Sequence, residues 1–248
     1  MRVGRFHDRD IEISVGTQQS SRHGDSGGST PNDHHTMVLA PGAGPWLLVG
    51  SVATDALLRP GSPMARSCGT CSACLPACPT GALVAPGVLD ARRCIAYWAQ
   101  APGAVPRWVR PLMGDRLYGC DDCLEACPPG TRRLAAAAPG RGRVDLARVL
   151  AMDDRSLLAA FAHFYIPRRR PRYLRRNALV ALGNAGGPPG VAAGYLGHSD
   201  PLLRGHAAWA VGRLGFPGAA EVLRTARRAE EDAAARGEIE AALAELAP

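Results

Sequence analysis

Residues 68–82 read CGTCSACLPACPTGA, and the four cysteines in that stretch, Cys68, Cys71, Cys74 and Cys78, with Pro79 after the last, decide how the middle of the chain folds. Their C-x2-C-x2-C-x3-C-P spacing is that of bacterial two-cluster ferredoxins. A tight loop turns three thiolates toward one 4Fe-4S cubane, while the fourth, after a longer step and before a proline, is turned toward a second. A second set of ligands is therefore required. Residues 120–128, CDDCLEACP, repeat the x2, x3 and proline steps with Cys120, Cys123 and Cys127 but lack one member, and Cys94 is what remains of the 8 cysteines. The expected partition puts Cys68, Cys71, Cys74 and Cys127 on one cluster and Cys78, Cys94, Cys120 and Cys123 on the other. Two four-cysteine zinc sites would use the same thiolates, although zinc has no need of the x2-x2-x3-Pro run.

Outward from the cysteines, the chain has 248 residues, 46% of them apolar, long enough for one or two domains with a buried core. Its longest apolar run, 157–162, is far short of the roughly 18 to 20 residues that cross a bilayer. No apolar segment follows a basic start as in a secretory signal. A cytoplasmic protein with no membrane partner is expected, in a reducing compartment where thiols serve more often as metal ligands than as disulfides. All 29 basic residues are arginine, which excludes Schiff-base lysine chemistry and a Walker A phosphate loop. Between Thr36 and Thr131 there is no Ser/His/Asp set, no paired-carboxylate pattern and no H-E-x-x-H helix, so no catalytic residue can be named.

Residues 1–33 are largely polar and without period, and read as disordered. Residues 34–67 include Met37 to Leu39 and Trp46 to Val49 around a Pro/Gly turn, a pair of short buried strands. The cysteine-rich domain covers 68–133, a linker and helix cover 134–166, and helical repeats cover 167–248. In the repeats, Leu174, Ala178, Ala181 and Leu182 stand at helical spacing, and 29 residues later Leu203, Ala207, Ala210 and Val211 take the same places. Arg175 and Gly183 are matched by Arg204 and Gly212. The period suits a HEAT-like two-helix repeat. Asp200 before Pro201 marks a helix start, and Ile239, Leu243 and Leu246 form a last amphipathic helix. Two copies are fewer than a free-standing solenoid needs, so the tail is expected to pack on the cysteine domain. The fold class is mainly α (α+β): a two-cluster ferredoxin-like domain, then α-helical HEAT-like repeats, with a short remnant of an α/β domain before them.

The net charge of +7 is concentrated in 134–178. Arg168, Arg169, Arg170, Arg172, Arg175 and Arg176 crowd the entry to the first repeat helix, with Tyr165 and Tyr173 nearby as stacking surfaces. Such density favours an RNA or another phosphate polymer at one patch. The plain alternative is a solvated basic helix face.

With the strings CGTCSACLPACPTGA, RCIAY, YGCDDCLEACP and LRRNALVALGN, the chain from about His35 onward resembles the epoxyqueuosine reductase family. The resemblance implies an N-terminal domain that holds cobalamin, clusters that feed it electrons, and a HEAT-like tail that holds tRNA. The implied reaction is reduction of epoxyqueuosine to queuosine in tRNA, with electrons from a donor such as a flavodoxin or ferredoxin and no role for DNA. By position, Arg168 to Arg176 with Asn177 would face tRNA, and Ala96 and Asp121 would lie near the corrin. The chain departs from the family in lacking nearly all of the cobalamin domain, of which 34–67 looks like a remnant. Ala96 stands where the family has serine, and Pro129 where it shows an aromatic. A shortened or incomplete form is therefore one expectation. The alternative is a ferredoxin-type electron carrier whose helical tail docks a partner protein.

Overall fold

In the computed structural model, residues 44–46, 68–135 and 143–246 are described. The expected disordered segment 1–33 and nearly all of the expected remnant 34–67, with its two strands, lie outside them. In chain order the elements are α1 (Cys74–Ala77), β1 (Leu83–Ala85), β2 (Val88–Leu89), α2 (Ile95–Gln100), α3 (Asp122–Ala126), α4 (Pro128–Ala135), α5 (Leu146–Ala151), α6 (Asp154–Ala160), α7 (Arg172–Ala185), α8 (Pro189–Gly194), α9 (Pro201–Leu214), α10 (Ala219–Ala229) and α11 (Ala233–Glu245). The fold is mainly α, and the only sheet among the described residues is the antiparallel hairpin β1–β2, which the sequence reading did not anticipate.

Two compact units divide these elements, and 92–120 groups with the residues from 140 onward. The span 68–133, expected as one domain, thus contributes its middle to the helical unit. The reason is apolar: Ile95, Val105, Val109, Met113 and Leu117 are buried in the same core as Leu174, Leu182, Trp209 and Ile239.

The repeat is visible in the helices themselves. α7 and α9 are each 14 residues long, and their first residues, Arg172 and Pro201, stand one sequence period apart. α9 packs against both α7 and α11. Close approach explains the matched glycines: a Cβ on Gly183 would lie 3.1 Å from the Ala210 backbone, and one on Gly212 would lie 3.0 Å from Ala242 Cβ. Both helices end on a left-handed glycine, Gly186 and Gly215, where any other residue would be strained. Asp200 accepts from Leu202 N–H ahead of Pro201, the N-cap read from the sequence. Asp145, Asp153 and Asp232 cap α5, α6 and α11 in the same way.

The other unit is small. Within it α1 packs on α3, α3 on α4, and α1 on β1. Trp46 Nε1 donates to Gly130 O at 2.9 Å, fastening 44–46 to α4.

Candidate metal centre and nucleic-acid interface

All eight cysteines lie among the described residues, and none of them is in a disulfide. The loop that opens the first motif is a turn in which Cys71 N–H donates to Cys68 O at 3.0 Å, and α1 begins at Cys74. Cys78 and Cys127 then occupy matching places: each follows a single helical turn, each takes extended backbone angles, and each precedes a proline. Proline disfavours helical geometry in the residue before it, and the chain leaves the helix at the last cysteine of each motif.

The two thiols have different surroundings. Burial pushes the Cys127 thiol up; Gly130 N–H works against this, and charge repulsion from Cys68, Cys71 and Cys74 adds to the rise. Those four cysteines are the set expected for the first cluster. Cys78 instead receives Ala82 N–H at 3.1 Å and lies 3.6 Å from the Thr80 hydroxyl. Burial raises its pKa, but the bonds from Thr80, Leu83 and Ala82 outweigh this and leave it below the usual thiol value. Hydrogen bonds to sulfur also tune an iron-sulfur cluster.

Among the described residues no three His, Cys, Asp or Glu side chains gather as they would around a single ion. A mononuclear zinc site draws its sulfurs to about 2.3 Å from one metal. An all-thiolate set in two motifs at ferredoxin spacing suits iron-sulfur chemistry.

Cys94 and Cys120 bound a segment of the helical unit. Cys94 is the N-cap of α2, with its carbonyl accepting Trp98 N–H at 3.2 Å. Cys120 follows Tyr118, whose ring stacks on Phe164 at 4.1 Å and whose hydroxyl donates to Tyr165 O at 2.9 Å.

The arginine run separates into two environments. Arg168, Arg169 and Arg170 are exposed, and Arg168 and Arg169 carry φ of 51° and 52°, a left-handed conformation rare outside glycine. Arg172 is half-buried and donates to Asp200 at 2.8 Å. Arg175 is buried, pairs with Asp154 and donates to Met152 O at 2.7 Å. Arg176 is 0% exposed and donates to the carbonyls of Trp98, Ala99, Ala101 and Gly103 and to Asn177 Oδ1. Burial pushes its guanidinium down to about 10, so it remains a cation at neutral pH, held by carbonyl dipoles near the C-terminus of α2. Asn177 is 1% exposed and donates to Ala99 O at 2.8 Å and Leu117 O at 3.0 Å.

These placements correct the expected RNA face. Arg175, Arg176 and Asn177 have their donors engaged within the fold and present none to a phosphate, and Tyr173 is buried while Tyr165 is exposed. For Arg175 alone the repeat carried a signal: it recurs as Arg204, also buried-facing, which binds Glu230 at 2.6 Å and the carbonyls of His198 and Ser199. A residue type that returns with the period of the packing serves the packing.

Ala96 is half-buried on α2, and Asp121 is half-buried at the start of α3. A methyl group and one carboxylate do not make a corrin site.

Comparison with known proteins gives a consistent picture. A family described as a 4Fe-4S double cluster binding domain matches residues 67–130, and one described as HEAT repeats matches 166–244. The epoxyqueuosine reductase of Bacillus subtilis (strain 168) is 36% identical over 215 residues, covering 82% of this chain and 55% of that protein. An uncharacterised protein from the gldA 3′ region of Geobacillus stearothermophilus is 33% identical, covering 79% of this chain and 95% of that protein. In structure, the chain is similar to a crystal structure of epoxyqueuosine reductase with an epoxyqueuosine-modified tRNA-Tyr stem loop: the TM-score is 0.71 at 31% identity, covering 85% of this chain and 58% of that one.

Proposed function

Since the chain belongs to the epoxyqueuosine reductase family and spans about half the length of the reductases it matches, we propose that it serves the reduction of epoxyqueuosine to queuosine in tRNA, carrying the electrons and holding the RNA. The two cysteine motifs, each a helical turn that ends in an extended cysteine before a proline, carry this reading. Two 4Fe-4S clusters, on Cys68, Cys71, Cys74 and Cys127 and on Cys78, Cys94, Cys120 and Cys123, would pass single electrons in sequence.

Removing the epoxide oxygen as water takes two electrons and two protons and leaves a carbon–carbon double bond. The family resemblance assigns the low-potential reduction to cobalamin and places Ala96 and Asp121 near it, but those two side chains do not make its site on this chain. The chain's own residues hold the clusters and keep the RNA in place. Arg168, Arg169 and Arg170, with Arg172 beside them, supply the phosphate contacts. The electron donor is a flavodoxin- or ferredoxin-type protein, and the reducing cytoplasm suits eight cysteines outside disulfides. No helix among the described residues is long and apolar enough to cross a membrane.

The test is anaerobic reconstitution with iron and sulfide, followed by metal analysis and binding of a tRNA stem loop across a salt series. Two cubanes per chain and salt-sensitive preference for the stem loop are expected. Bound zinc in place of iron and sulfide would overturn the cluster assignment. The burial of Arg175 and Arg176 favours one second reading, a ferredoxin-type carrier whose helical tail docks a protein. Binding no tighter than to a mixed-sequence polyanion, together with RNA-independent binding of a redox partner, would select it.

A further inference from the structure

The face of α7 that the sequence assigned to RNA is turned to a different task. Asn177 Nδ2 bridges two carbonyls far apart in the chain, Ala99 O at 2.8 Å and Leu117 O at 3.0 Å. Ala99 lies on α2, the helix that Cys94 caps, and Leu117 stands three residues before Cys120. Both connections are stiff. Between Cys94 and Ala99 runs one helical turn, with Ile95 buried and the Trp98 indole N–H donating to Arg92 O at 2.7 Å. Between Leu117 and Cys120, Tyr118 is pinned by its stack on Phe164 and its bond to Tyr165 O. Arg176 holds Asn177 in turn, donating through Nε and Nη2 to its Oδ1 at 3.1 and 2.9 Å, and reaches Trp98 O at 2.9 Å on the same α2 turn.

We infer that Asn177, fixed by Arg176, is a positioning residue that sets the spacing of Cys94 and Cys120. This rests on the reading of those two thiols as ligands of the second cluster. A cubane tolerates little error in where its thiolates stand, and its potential responds to their geometry and hydrogen bonding. A side-chain amide suits the role because it offers two N–H donors to two carbonyls and an oxygen to the guanidinium at once, and does not titrate.

A control stands on the same helix. Asn184 Nδ2 also bridges two carbonyls, Arg110 O at 2.7 Å and Gly114 O at 2.9 Å, but these lie in the middle of the segment, away from both cysteines. A merely structural role would make the two asparagines equivalent.

The experiment compares the full-length chain with Asn177→Asp and Asn184→Asp, each reconstituted anaerobically with iron and sulfide. Asp keeps the size of Asn and still accepts from Arg176, but replaces the two donors with an oxygen that repels both carbonyls. Both variants should lose thermal stability. Asn177→Asp alone should lose iron from one of the two clusters, or shift one of the two midpoint potentials and its reduced-state paramagnetic resonance signal. If Asn177→Asp does not fold, Arg176→Lys, which keeps the charge but loses the planar fork, carries the same expectation. Two clusters with wild-type signals and potentials in the Asn177 or Arg176 variant would overturn the proposal, as would equal cluster changes in Asn184→Asp. Wild-type protein that takes up fewer than two clusters would instead overturn the ligand reading, a separate failure visible before any variant is made.

Discussion

α7 and α9 are copies of one repeat, yet only their apolar positions are alike in role. Leu174, Ala178, Ala181 and Leu182 in α7 and Leu203, Ala207, Ala210 and Val211 in α9 are all buried. The polar positions diverge. Asn177 is matched by His206, and both are buried against the 92–120 segment. Asn177 donates to carbonyls there, whereas His206 Nε2 accepts Val105 N–H at 3.2 Å while its Nδ1 lies 2.8 Å from Leu202 O. Arg176 is matched by Gly205, which leaves room for Glu238. Glu238 holds the buried Arg110 through both guanidinium Nη atoms, at 2.8 and 2.5 Å. The backbone repeat is thus a frame on which each copy carries its own polar clamp.

The largest break in this comparison should come from Arg176→Ala. It takes a donor from the carbonyls of Trp98, Ala101 and Gly103, leaves that of Ala99 to Asn177 alone and opens a cavity, and about 3 to 5 kcal/mol of stability should be lost, read from the denaturant midpoint. No equivalent change exists in α9, where the matching residue is glycine.

The paired arginines differ next. Arg204 binds Glu230, which is 5% exposed, whereas Arg175 binds Asp154 at the solvent edge. Glu230→Gln should cost about 2 kcal/mol and Asp154→Asn under about 1 kcal/mol by the same measurement. The bond from Arg204 holds the Glu230 carboxyl below its ordinary pKa of 4.5. Its contribution is therefore complete above that value and disappears as pH falls through the lower folded value. Glu230→Gln should flatten the acid limb of the stability profile.

pH also separates Asn177 from His206. Burial holds His206 well below its ordinary pKa of 6.5, and the Arg110 charge adds to this. The unfolded chain then binds a proton that the folded chain refuses. Stability should be complete above that value and fall on acidification, by up to about 1.4 kcal/mol per pH unit. His206→Gln, which can still accept from Val105 N–H, should remove that slope, and changes at Asn177 should leave it in place.

The smallest effect on stability should follow alanine substitution of Arg168, Arg169 and Arg170 together: within about 0.5 kcal/mol, as for other exposed sites. The same variant should lower the salt slope of stem-loop binding by about 2 to 3, one unit for each phosphate contact at most. Unchanged binding would turn the exposed run into a solubilising surface.

Much of this chain was legible from local pattern. Cysteine steps before proline, the 29-residue period and the Asp200 cap are short-range features: their physical causes, turn geometry, helical spacing and capping, act within a few residues of the signal. Such pattern was enough for the cysteine motifs and the repeat frame. It could not say which arginines meet solvent, because Arg176 and Arg170 look alike in a run, and Arg176 is decided by carbonyls 73 to 78 residues away. Nor could it place 92–120 with the repeats, since that segment has little regular structure of its own and its burial is set by the helices it meets. Tertiary structure made these decisions because burying a charged or amide side chain is favourable only where distant backbone groups complete its hydrogen bonds.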